Sequence, residues 1–196
     1  MPSIFSLYRF VHDTPAPWPG ASPAVLALLI LGLEGYVRPE GGLGAPLAIV
    51  LAVALACHDG NAAARRAYYG RWFLVGVSWP MLGLLSIVAV LFRWCVPVGI
   101  GLLLGLELFT DHTATWTLLP ALLVATALAT ILQALFAGRS SASTWGVLVT
   151  VPLLIPMVLF FSADAVSLLW GQALLWLALS PWVTGLLWHA AVREVL

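Results

Sequence analysis

WGVLVTVPLLIPMVLFFSAD, Trp145–Asp164, is an apolar run with two prolines four residues apart, Pro152 and Pro156, around Leu153, Leu154 and Ile155. Its length suits a membrane span, which needs roughly 20 apolar residues. Proline inside a helix removes one backbone hydrogen bond and clashes with the preceding turn. In a bilayer that defect survives where neighbouring helices, side chains or water re-satisfy the freed carbonyls. The sequence therefore predicts a bent span packed against protein rather than bathed in lipid all round.

The remainder of the chain has the same character. Of its 196 residues, 62% are hydrophobic and 8% charged, and its mean hydropathy is +1.05. A soluble domain averages about 25% charged residues. This composition predicts an all-α, polytopic membrane protein, a single transmembrane domain over residues 1–196. Every basic residue is an arginine. Without lysine there is no Walker A phosphate contact and no Schiff-base catalysis. The near-zero net charge and the lack of a basic stripe exclude a nucleic-acid partner. Cys57 and Cys95 form no CxxC pair and read as free thiols in apolar helices. The first nineteen residues hold four prolines and no long apolar segment, so they are not expected to be a signal peptide.

Taken in order, residues 1–20 read as an interfacial lead-in, followed by spans at about 23–37 and 43–57. A polar stretch, His58–Arg71, separates these from a third span at 72–92 with Pro80 inside it. Residues 96–109, VPVGIGLLLGLELF, are short for a crossing and read as a re-entrant or interfacial segment. Spans four to six follow at about 116–137, 145–164 and 168–190. With six spans and a cytoplasmic N-terminus, Arg9, Arg65, Arg66, Arg71, Arg139 and Arg193 lie inside, and Arg38 and Arg93 outside. That agrees with the positive-inside rule. If residues 96–109 also crossed, the arginines would divide evenly. The expected location is a bacterial inner membrane, multi-pass, with both termini in the cytoplasm and lipids as partners. Trp72, Trp94, Trp116, Trp145, Trp170 and Trp188 fall near proposed span ends, where indoles anchor at headgroups.

From the third span onward the chain resembles CcmB, the membrane permease of the bacterial haem-exporter system for cytochrome c maturation. VPLLIPMVLF, Val151–Phe160, looks like that family's PLxIPxxIF signature, preceded here by the small, charged loop GRSSAST, Gly138–Thr144. LSPWVTGLLWHAAVREV, Leu179–Val195, is similar to the family's last helix, and GRWFLVGVSWPMLGLLS, Gly70–Ser86, to its third. HDG, His58–Gly60, sits where the family has an acidic-Asp-Gly run. The resemblance covers about two-thirds of the chain. It implies an ABC-2-type permease, dimeric or part of a larger membrane complex, working with a separate ATP-binding-cassette ATPase subunit and other haem-handling membrane subunits. Haem would be a transported or handled ligand; no resident cofactor is assigned. Two departures stand out. The family's coupling segment after Asp-Gly is replaced by Asn61–Tyr69, without its acid or prolines. About twenty extra residues, Arg93–His112, separate the third and fourth helices.

The candidate residues carry two readings each. Asp59, Arg65, Arg66, Arg71 and Arg139 are candidates for ATPase docking, or for topology and anionic-lipid contact. Pro80, Pro152 and Pro156 are candidates for helix kinks or gating, or for shape alone. Glu107, Asp111 and His112 form an extracytoplasmic polar cluster in which His112 is a candidate ligand for haem iron, imidazole being suited to iron; the alternative is polar edging. Glu34 is placed to pair with Arg38 four residues on. His12, His58 and His189 read as polar edging at span ends. Ser140, Ser141 and Ser143 have no histidine in their loop, and no metal site or catalytic constellation is assigned. The chain is thus expected to be no enzyme: a haem-exporter permease subunit, with any ATP hydrolysis in a partner. The alternative is a non-transporting structural or assembly subunit derived from such a permease, which the altered Asp59–Arg71 segment favours.

Overall fold

Ala, Leu and Thr alternate through Thr115–Phe136 with no charge among them, and the helix they form is enclosed by its neighbours on nearly every side. The computed structural model describes residues 22–37, 44–57, 62–109, 115–137 and 142–193. Among these it is all-helical: α1 Ser22–Val37, α2 Gly44–Cys57, α3 Ala62–Leu74, α4 Trp79–Val90, α5 Val96–Phe109, α6 Thr115–Phe136, α7 Ala142–Ser162 and α8 Val166–Arg193. A π-helical turn, Leu91–Cys95, joins α4 to α5. α6 touches α2, α4, α5, α7 and α8, most extensively α8. Its alanines at 121, 125, 127 and 129 are all fully buried, and such small side chains let neighbouring backbones approach closely. α4 pairs with α8, α1 with α5, and α2 with α7.

The apolar interior has two parts. The larger joins α1, α2, α5, α6 and α7 around Leu31, Ile49, Leu102, Leu128 and Leu154. The smaller joins α3, α4, α6 and α8 around Tyr69, Leu82, Leu85, Ala134 and Trp188. Two of the helices, Trp116–Phe136 and Val166–Arg193, are long and apolar enough to cross a membrane.

The third span expected at 72–92 is two helices. α3 ends at Gly76, whose φ of +86° is the left-handed conformation glycine adopts without cost. Val77 N–H reaches back to the Trp72 carbonyl and Gly76 N–H to that of Phe73, at 3.3 and 2.9 Å, the paired bonds of a Schellman stop. Ser78 is extended at the start of α4, with Pro80 in the first turn, where its missing N–H has no intrahelical role. Pro80 therefore opens a helix and is not a mid-span kink. Residues 96–109 are not a hairpin either. The backbone runs on from α4 through the π turn into α5, and Val96 N–H bonds to the Leu91 carbonyl. Pro97 follows at once; it can give no bond to Arg93 four residues back, and the wider turn takes up that defect.

Pro152 and Pro156 do lie inside one unbroken helix, α7. Both are exposed, beside exposed Val151, Ile155 and Leu159, while Leu154 and Met157 are buried on the opposite face. The expectation of protein packing thus holds for one face of this helix only. In α8, Pro181 deprives the Leu177 carbonyl of its N–H. The Ser180 hydroxyl donates to that same carbonyl at 3.4 Å, a side-chain repair of the kind apolar surroundings demand.

The closest approach in the fold is between α4 and α8. A Cβ on Gly83 would run into the Pro181 carbonyl, and one on Gly185 into the Trp79 carbonyl. Each glycine thus admits the other helix's backbone, which no side-chain movement can clear. Gly83→Ala and Gly185→Ala are each expected to lower stability by about 2 kcal/mol or more, since overpacking typically costs 1–3. Gly171→Ala, where nothing lies within 4 Å, should be neutral or gain up to about 1 kcal/mol of helix propensity. Thermal unfolding of the three variants in one detergent checks this; equal melting temperatures would contradict the close crossing.

Candidate functional site

Three arginines of the sequence AAARRAYYGRWFL fall on α3, Ala62–Leu74, and aromatic residues fix that helix to the end of α8. Tyr69 is buried and lies 4.3 Å from Trp188, centroid to centroid. One turn on, Phe73 stacks on His189 at 5.0 Å. Between them, a Cβ on Gly70 would be 3.7 Å from Val192. Tyr68 adds edge contacts to Tyr69 and Trp72, at 5.8 and 6.4 Å. Aromatic pairs of this kind contribute about 0.5–1.5 kcal/mol each beyond their buried area. The result is a short polar helix held across the C-terminal end of a long apolar one.

That docking brings α3's cations to the basic end of α8. Arg71 and Arg193 are exposed, and each follows a residue of the Gly70–Val192 contact. Arg66 is partly buried, and its Nε has no hydrogen-bond partner among the described residues. Arg65 is on α3 by its backbone. A guanidinium group suits carboxylate or phosphate groups, which it clamps bidentately. Cations at a helix C-terminus are also favoured by the helix dipole. Asp59 and Arg139, the other docking candidates, lie outside the described residues.

Of the remaining candidates, the described residues assemble no further group. Glu107 is exposed on α5; Asp111 and His112 lie outside the described residues, as do His12, His58 and the loop serines 140 and 141. Among the described residues no three His, Cys, Asp or Glu side chains are placed to hold a metal. Cys95 is a free, buried thiol whose Sγ–H points to the Leu122 carbonyl at 3.9 Å. Trp94 and Trp188, expected to anchor at headgroups, are each only 1% exposed. Trp116, 80% exposed, fits that expectation.

Sequence reading also missed the polar residues inside the apolar interior. Ser86, Thr126, Thr130, Gln133, Thr150, Ser180 and Thr184 are all buried, while Leu29, Leu51, Leu104, Leu159, Leu175 and Leu186 are exposed. Their helical spacing offered a signal, since Thr126, Thr130 and Gln133 recur along one stripe of α6. Comparison of the chain with protein-family models, with curated proteins and with solved structures finds no match.

Tyr69→Ala is expected to loosen α3 from α8, at a cost of about 2–4 kcal/mol for the lost aromatic contacts and cavity. Trypsin should then cut after Arg66 and Arg71 many times faster than in the parent chain, read by mass spectrometry of the fragments. Unchanged cleavage would mean that α3 is held by something other than this stack.

Proposed function

We propose that this chain is a six-span membrane subunit with both termini in the cytoplasm of a bacterial inner membrane. Its task would be that of a CcmB-like permease working with a separate ATPase in haem export. The observation that carries the membrane part is that leucines and valines stand on the outward faces, while an apolar interior also takes in hydroxyls and an amide. Soluble monomers rarely expose apolar patches beyond a few hundred Å², whereas small and hydroxyl residues between helices are what membrane packing favours. The crossings would be α1, α2, the continuous Trp79–Phe109 segment, α6, α7 and α8. With residues 96–109 read as the continuation of α4, they add no crossing; the six arginines expected inside keep their side as the positive-inside rule expects, while Arg93, expected outside, falls within the crossing on the π turn.

The permease part rests on the resemblance, with α3 as its support. Residues 61–69 lack the family's coupling sequence, yet their described part is helical and carries its arginines on a fixed, aromatic-backed helix at one end of the bundle. A helix so placed is suited to receive an acidic groove of a soluble ATPase. The alternative of a non-transporting structural subunit would leave such a helix without that partner.

A gentle-detergent pull-down of the tagged chain from its own membranes separates the two. The permease reading expects a stoichiometric Walker-type ATPase that is lost in R65E/R66E while the variant keeps the parent's melting temperature. Other membrane subunits with no ATPase would refute it in favour of a structural subunit. Haem absorbance of the same preparation tests whether haem is handled at all.

A further inference from the structure

Three buried hydroxyls on these helices satisfy themselves in one way, and Thr184 departs from it. Ser86 donates to the Leu82 carbonyl at 2.9 Å, Thr126 to Leu122 at 2.7 Å and Thr130 to Thr126 at 2.7 Å, each to the carbonyl four residues back. Thr184 is fully buried, yet its Oγ1 has no partner among the described residues. One turn further along α8, the Trp188 Nε1–H is buried and likewise without a partner. Burying a polar group unpaired costs about 1–3 kcal/mol. Arg66 Nε, Trp94 Nε1 and Gln172 Oε1 are also buried without a partner among the described residues, but Thr184 and Trp188 are one turn apart on the same helix, so one ligand can serve both.

We propose that the junction of α4, α6 and α8 is a bound-water site, with water accepting from Trp188 Nε1–H and donating to Thr184 Oγ1. Thr184 and Trp188 are four apart on α8 and so share one face of that helix. An indole is a donor only and a hydroxyl also accepts, so the pair is complementary to water and offers no charge for an ion. A structural water needs two to four polar partners. Trp188 packs with Leu82, Leu85 and Ala89 of α4 and with Ala134 and Ala137 at the end of α6, which places it at this junction. The break between α3 and α4 lies beside it: Gly185 abuts the first residue of α4, and Val75, Gly76 and Ser78 are exposed. Water therefore has a short way in. The site does not depend on the permease reading.

Radiolytic hydroxyl footprinting of the protein in nanodiscs tests this, because radicals formed from a bound water oxidise the side chains touching it. Met157, fully buried in the larger apolar core, is the dry reference. Trp188 is expected to be oxidised several-fold faster than Met157. In T184V that rate should fall roughly fivefold, the water having lost one of the two to four partners it needs, while T184S retains it. Oxidation of Trp188 no faster than Met157, or unchanged in a folded T184V, would overturn the proposal. Should T184V fail to fold, the parent's ratio of Trp188 to Met157 oxidation decides alone.

Discussion

Gly83 and Gly185 let the backbones of α4 and α8 touch, and the arginine-rich half of the molecule is arranged around that crossing. With α4 pressed onto α8, Leu82 and Leu85 reach Trp188 and the alanines at the end of α6. Trp188 then offers its ring to Tyr69, and α3 is laid down with Gly70 against Val192 at the end of α8. The helix that looks most independent in the sequence, polar and short, is thus placed by a contact between two apolar ones. A side chain at either glycine would separate the helices and withdraw the platform on which α3 rests.

The second governing condition is that polar groups find partners inside the bundle. Ser180 answers the carbonyl that Pro181 frees; Thr126 and Cys95 share the Leu122 carbonyl. The π turn absorbs Pro97, and the Schellman bonds close α3 before Pro80 starts α4. Each device is local, and each leaves the outward faces to leucine and valine. Hydrocarbon supplies no hydrogen bonds, so a chain surrounded by it must make these repairs itself. Water would make them unnecessary and would penalise the exposed leucines.

The all-helical character was legible, because apolar runs separated by arginine and glycine announce themselves; the number of helices was not, since the third expected span is two helices. The position of α7 around Pro152 and Pro156 followed from length alone, and α3's arginines were marked by their concentration in one polar stretch. What failed was punctuation inside apolar sequence. GVSWP, Gly76–Pro80, carries a stop glycine, an opening serine and a first-turn proline, but hydropathy reads straight through it. Residues 96–109 looked like a separate segment because they are short for a crossing, whereas the π turn at Leu91–Cys95 carries the helix on past Pro97. Trp94 and Trp188 were misjudged because an indole near a helix end fits either headgroups or a core, and only packing decides which. The glycine crossing was unreadable, since it depends on which two helices meet.

The central claim is that the outward leucines face hydrocarbon and the inward hydroxyls face protein. Its most direct measurement is spin-label accessibility in liposomes. Single cysteines at Leu51, Leu104, Leu159 and Leu175, in a chain with Cys57 and Cys95 replaced by alanine, would carry nitroxides. These would be relaxed in turn by oxygen, which concentrates in hydrocarbon, and by a water-soluble nickel chelate. The account predicts that oxygen dominates at all four positions, while Arg71→Cys at the arginine-rich end is dominated by nickel. Nickel relaxing the leucine positions as strongly as position 71 would contradict it, and would turn the same surface into one that water or another protein covers.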